Sequence, residues 1–96
     1  MKPKEKALLV TTVHRGVFFG YGDGAVKSKT ITIKNARNCL YWSADVKGFL
    51  GLAATGPSDG CKIGPRAASL TLTDVTSVSE VSPEAADKWE RASWKL

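Results

Sequence analysis

Hydrophobic and polar positions alternate over several short segments of the chain, which is the pattern of strands that bury one face. Residues 7–13 and 16–21 are rich in β-branched and aromatic side chains, and only His14 and Arg15 separate them. We therefore predict a hairpin there. Residues 29–36 alternate strictly and predict a third strand, so β structure dominates the first part of the chain.

Three further segments carry weaker patterns. Residues 20–29 have glycine at positions 20, 22 and 24 and no apolar periodicity, so they predict a mobile loop. Residues 37–42 either continue the third strand around a bend or begin the next one. Residues 48–57 combine helical spacing with internal glycines, so a helix and a short strand both fit, and we favour the strand.

The pattern changes again in the last third of the chain. Residues 58–68 are punctuated by glycine and proline and predict an irregular connection. Residues 69–81 alternate at first, with Leu70 and Leu72 inward, but the later valines are out of phase. That shift requires a bulge or a turn at Asp74.

The end of the chain predicts a helix over residues 83–93. Ser82 is a good N-cap, and Pro83 suits the first helical position because its missing N–H has no partner there in any case. One face carries apolar residues at helical spacing, and we expect it to pack on the sheet. That face consists of Ala85, Trp89 and Ala92.

Together these elements predict a mainly β, α+β fold: a small bent antiparallel sheet, or an SH3-like or Sm-like barrel, of about five strands with one C-terminal helix. We divide the chain into a flexible basic tail, residues 1–6, and a single β-rich domain, residues 7–96. Small sheets leave edge strands, and pairing an edge with a second copy covers it. We therefore expect a homo-oligomer.

Charge is distributed unevenly along the 96 residues, whose formal net charge is +5. Residues 1–66 carry eleven Lys and Arg against four Asp and Glu, whereas residues 67–96 carry three against five. The first two thirds are therefore the expected place for an anionic partner. No secretory signal or membrane span is evident, and these absences favour a cytoplasmic protein with no membrane partner.

Catalytic and metal-binding patterns are not found in the sequence. His14 has no adjacent nucleophile, and the two cysteines lack the spacing of a metal site. Cys39 has basic neighbours that could activate it, but a small buried hydrophobe is the favoured interpretation. We expect Cys39 and Cys61 to be reduced, and we predict no enzyme activity, no metal and no cofactor.

The richest group of polar and aromatic side chains lies in residues 32–42. Cations, amides and rings are the groups that hold a base and its phosphate, because stacking is worth about 1–3 kcal/mol per base. Arg15, before a glycine at a turn, adds a possible phosphate contact. An alternative is that the aromatic residues simply form core and rim. The candidate ligand-binding residues are Arg15, Lys34, Asn35, Arg37, Asn38, Tyr41 and Trp42.

Four segments together resemble an uncharacterised family of small proteins from phage and prophage genomes, over about Val10 to Trp89. The resemblance implies a phage context but transfers no site. The segments are "VTTVHRGVFFGY", "IKNARNCLYW", "GFLGLAATGP" and "VSPEAADKWE".

Small phage proteins without catalytic groups commonly act by occupying a target. We therefore expect a protein that binds an anionic nucleotide-type ligand in the host cytosol, where it could sequester an antiviral defence signal. The alternatives are a module that inhibits a host protein, a virion component, and a domain that binds nucleic acid weakly.

Overall fold

The computed structural model describes residues 6–13, 16–42, 48–58 and 61–92. Within these ranges the chain forms five strands and two helices. In chain order they are β1 (Lys6–Thr12), β2 (Val17–Gly22), β3 (Ile31–Tyr41), α1 (Gly48–Ala54), β4 (Lys62–Leu72), β5 (Val75–Glu80) and α2 (Pro83–Arg91).

All five strands form one antiparallel sheet in the order β4-β3-β2-β1-β5. The two edge strands, β4 and β5, are joined by Thr73 and Asp74 alone, and two residues span less than about 10 Å. The sheet must therefore bend strongly, although it does not close. Asp74 has a positive φ of 54°, which confirms the predicted turn. The predicted bent antiparallel sheet with a C-terminal helix is confirmed.

The bent sheet has a hydrophobic core on each of its two faces, and β1 contributes buried residues to both. Leu8, Leu9 and Val10 are all at most 1% exposed although they point alternately to opposite sides. One side, here called the helix face, packs Leu9 against α1 and α2. The other, the bend face, lies inside the curve and its buried cluster contains strand residues only: Leu8, Val10, Ile31, Ile33, Ala36 and Leu72.

A β-bulge in β3 changes the alternation of side chains. Phe19 of β2 pairs with Arg37 and Tyr21 pairs with Lys34, so two residues of β3 lie opposite Gly20 alone. Asn35, inside the bulge, has a φ of 51°. Lys34 and Arg37, which are three apart, consequently share the helix face instead of pointing to opposite sides.

Two predicted elements are wrong. Residues 48–57 contain the helix α1 and not a strand. Gly56, with a φ of 88°, ends this helix by donating its N–H to the carbonyl of Gly51. Residues 58–68 belong largely to β4, and Pro65 is tolerated there because an edge strand has one side without ladder partners.

The loop and strand boundaries also differ in detail. β3 runs through residues 37–42 as far as Tyr41, so this segment continues the third strand. β2 extends to Gly22, and residues 27–30 form a tight turn closed by paired backbone hydrogen bonds between Lys27 and Thr30.

The C-terminal helix α2 is confirmed with its predicted cap. The Ser82 hydroxyl accepts the N–H of Ala85 at 3.0 Å and donates to the carbonyl of Ala54 at 2.8 Å, which ties the start of α2 to the end of α1. Trp89 is fully buried, as predicted, and stacks on Phe19 with ring centroids 5.1 Å apart. α2 therefore anchors the helix layer on the sheet.

Candidate functional site

The helices cover only part of the helix face. The exposed part, here called the open half, crosses three strands in register: Tyr21 of β2 pairs with Lys34 of β3, which pairs with Ser69 of β4. The next row pairs Thr32 with Thr71, whose hydroxyls lie 2.8 Å apart. Polar side chains thus continue the face that carries the hydrophobic core beneath the helices.

A cleft opens between the open half and the loop that follows β2. Its volume of about 410 Å³ lies in the range of pockets that hold small molecules. The Asp23 carboxylate accepts the N–H of Ala25 at 2.9 Å and so shapes the loop. This basic cleft presents two lysines against one carboxylate. Its polar and aromatic lining consists of Tyr21, Asp23, Lys27, Thr30, Thr32 and Lys34.

A charged network lies at the border between the two halves. The Tyr21 hydroxyl donates to Oε2 of Glu90 at 2.5 Å, and Nη2 of Arg66 lies 2.7 Å from Oε1 of the same carboxylate. Burial, and then the hydrogen bond to Glu90, raise the pKa of Tyr21 to about 12. Tyr21 is therefore a neutral donor at physiological pH.

Arg37, one of the predicted ligand-binding residues, lies in the part of the helix face that α2 covers. Its side chain is buried, with Nε donating to the carbonyl of Gly64 at 3.0 Å. Nη1 donates to the carbonyls of Trp89 at 2.8 Å and Ala92 at 2.6 Å. Burial, and then the charge of Arg66, lower the pKa of Arg37 below its usual value. Arg37 serves as a C-terminal anchor for α2.

The two asparagines do not accompany Lys34 into the cleft. Asn35 lies exposed in the bulge. Asn38 pairs with Phe18 and sits half-buried beside Gly64. Neither amide lines the basic cleft.

Tyr41 and Trp42 are at the far end of β3. Tyr41 is seven positions beyond Lys34, which is roughly 20 Å along a strand. Tyr41 is 54% exposed, and Trp42 is half-buried against the core beneath the helices. Arg15 and His14 lie outside the described residues. The six predicted residues that the structure describes are therefore not brought together, and of these six only Lys34 lines the basic cleft.

Cys39 is buried, as predicted, and Cys61 is buried as well; both are free thiols. Cys39 and Cys61 both belong to the core beneath the helices. Burial, and then neighbouring Cys61, raise the pKa of the Cys39 thiol to about 12. A thiol with so little thiolate is a poor nucleophile, which is the opposite of the activation that basic neighbours could have produced.

Comparison with known protein families gives a match over most of the chain. Residues 5–89 match a family described as a domain of unknown function (DUF6948). The chain belongs to the DUF6948 family. No match to it was found among curated proteins or among solved structures. The predicted membership of an uncharacterised family is confirmed, whereas the phage context stays a prediction.

Other common kinds of site find no support in the described part of this DUF6948 protein. There, no three His, Cys, Asp or Glu side chains are grouped so that they could hold a metal ion. Neither described helix has the length and hydrophobicity needed to cross a bilayer. The basic cleft is the candidate site because it combines two lysines with hydroxyls and an aromatic ring and includes the predicted residue Lys34.

Sequence reasoning missed most of this cleft. The pattern assigns Tyr21 to a hairpin strand, and Thr32 opens the candidate stretch of residues 32–42 but is not among the predicted ligand-binding residues. Lys27 stood in a glycine-rich segment predicted to be mobile. The signal that could have found them was the positive charge of that segment next to a strand with hydroxyls on its exposed side.

Proposed function

We propose that this DUF6948 protein is a non-enzymatic binding protein whose basic cleft takes an anionic, nucleotide-type ligand. The observation that carries the proposal is the cleft itself. Hydroxyls, two ammonium groups and one aromatic ring line a cavity of about 410 Å³ beside a sheet surface that the helices leave uncovered. Binding sites for small molecules are concave, and a few polar groups that converge on the cavity fix the orientation of the ligand.

Each lining group suits part of such a ligand. The ammonium groups of Lys27 and Lys34 favour phosphate oxygens, and charged hydrogen bonds of this kind are about twice as strong as neutral ones. The hydroxyls of Thr30 and Thr32 offer further donors and acceptors. The Tyr21 ring offers a surface for a base or a sugar.

The resemblance to phage and prophage proteins supports a biological setting for this binding. In the cytosol of an infected host, a protein could lower the concentration of a nucleotide-type defence signal by binding it. Sequestration of this kind needs affinity and enough copies of the protein, and it needs no catalytic group.

Isothermal titration with a panel of nucleotides at low salt tests the proposal. We expect binding by the wild type and loss of most of the affinity in the double variant Lys27→Ala/Lys34→Ala. The double variant Lys62→Ala/Lys88→Ala has the same change in charge away from the cleft and serves as the control. Equal losses in the two variants, or no binding by the wild type, would contradict the proposal.

A second candidate function is a protein-interaction module that contacts a second copy of the chain or another protein. Leu40 and Tyr41 are both more than half exposed at the end of β3, and an apolar pair there favours contact with a protein surface. Sedimentation of the wild type and of Leu40→Ser/Tyr41→Ser detects self-association through this pair. A pulldown with the same two proteins detects a host or virion partner, and steep salt dependence of oligonucleotide affinity would instead mark nucleic-acid binding.

A further inference from the structure

The carboxylate of Glu90 occupies an unusual position at the edge of the basic cleft. Its two oxygens are each held by a different strand: Oε2 accepts from the hydroxyl of Tyr21 on β2, and Oε1 lies 2.7 Å from the guanidinium of Arg66 on β4. The helix α2 thus supplies a carboxylate to donors that the sheet supplies. Tyr21 also lines the cleft, so the two sites share a wall.

We infer that Tyr21 and Arg66 form an oxyanion subsite of the basic cleft, and that Glu90 occupies this subsite in the free protein. The inference rests on the proposed function and extends it. It assigns a ligand class: compounds that carry at least two linked phosphoryl groups, one held by Lys27 and Lys34 and the other by Tyr21 and Arg66.

The spacing of the donors fits this class. Lys34 lies between β2 and β4 in the sheet order, and Arg66 stands one strand across from Arg37. The Cα atoms of Lys34 and Arg66 are therefore separated by roughly 10 Å. Extended lysine and arginine side chains can reach adjacent phosphoryl groups over that distance, whereas a single phosphate could contact only part of the set.

Glu90 can leave the subsite without undocking its helix. Arg37 holds the carbonyls of Trp89 and Ala92 on either side of Glu90, and Trp89 is fully buried. The side chains of Glu90 and Arg66 are by contrast 36% and 38% exposed, so a ligand can approach both. A phosphoryl group offers Arg66 the same planar pairing as a carboxylate with more charge, and it can displace Glu90.

Titration of inorganic pyrophosphate into three proteins tests the subsite. Glu90→Gln keeps the size of the side chain and removes the competing charge, so we expect it to bind pyrophosphate about fivefold more tightly than the wild type. Asp87→Asn makes the same change of charge on the same helix, where Asp87 pairs only with Arg91 at 3.1 Å among the described contacts. We expect less than about a twofold effect from this control.

The outcomes separate the subsite from the proposed function. Wild-type binding that Glu90→Gln strengthens no more than Asp87→Asn would overturn the subsite and leave the cleft proposal standing. Binding by Glu90→Gln alone would support the subsite and contradict a binding function for the wild type. No binding by any of the three would overturn both. Orthophosphate that binds as tightly as pyrophosphate would overturn the assigned ligand class.

Discussion

Lys34 and Arg37 are two cations on the same face of the same strand, yet they have different surroundings and different roles. Arg37 is buried and satisfies three backbone carbonyls, two of them at the end of α2. Lys34, three residues away, lines an exposed cleft. The difference lies in what covers the face, because α2 ends over Arg37 and does not reach over Lys34.

The comparison shows that residue type alone does not mark a binding site. Beneath the helices, cations and ring N–H groups donate to backbone carbonyls inside the protein. The indole of Trp89 donates to the carbonyl of Leu52, and Arg37 donates to the three carbonyls described above. In the open half, the hydroxyls of Thr32 and Thr71 bond to each other at the surface. The open half also leaves room for a ligand, in the basic cleft.

Removal of the central residue of the covered half should have the largest effect. Trp89→Ala deletes a fully buried ring that stacks on Phe19, and such truncations cost about 3–5 kcal/mol. Urea denaturation followed by circular dichroism measures the loss. A midpoint equal to that of the wild type would contradict the assignment of Trp89 to the core.

Arg37→Met should destabilise the protein by about 2–4 kcal/mol, because it leaves buried carbonyl groups without their donor. Arg91→Met is the matched control on the surface of α2, where Arg91 is 79% exposed and pairs with Asp87. We expect the control to cost less than about 0.5 kcal/mol. Similar midpoints for the two variants in urea would contradict the anchoring role of Arg37.

Ser82→Ala should cost about 1 kcal/mol, since it removes the N-cap of α2 and the link to α1. Ser69→Ala on the exposed part of β4 is the control and should leave the thermal midpoint nearly unchanged. If Ser69→Ala lowered the midpoint as much as Ser82→Ala, the cap would not be stabilising the helix layer.

Lys34→Ala should have the smallest effect on stability, under about 0.5 kcal/mol, because its side chain is exposed. Its effect should appear in ligand affinity, with a shallower dependence on salt concentration. Lys62→Ala, which removes another exposed lysine of the sheet, should retain the affinity. If Lys34→Ala lowered the stability but not the affinity, Lys34 would have a structural role like that of Arg37, which would contradict the distinction between the two halves.

Local patterns predicted the elements that local interactions determine. Strict alternation identified β3, and the Ser82–Pro83 pair identified the start of α2. The same rules failed at Pro65, because a proline interrupts a strand in the interior of a sheet but not at its edge. They also failed at α1, where helical spacing and internal glycines gave conflicting signals.

The candidate site was less predictable than the fold. The bulge at Asn35 decides which cations of β3 share a face, and it depends on Gly20 in another strand. A Cβ atom on Gly20 would lie 2.7 Å from Cδ1 of Ile33, so this glycine allows the close approach. The burial of Arg37 depends on α2, whose contact with β3 spans 52 residues of sequence. Pattern within one segment carries no information about either contact.

We propose that the open half, and not the far end of β3, binds an anionic nucleotide-type ligand. NMR titration of the ¹⁵N-labelled protein with the nucleotide that binds most tightly at low salt tests it most directly. We expect the largest changes in amide chemical shift at Tyr21, Lys27, Thr32 and Lys34, and little change at Leu40 to Trp42. Shifts centred on Leu40 to Trp42, or no shifts at saturating nucleotide, would contradict it.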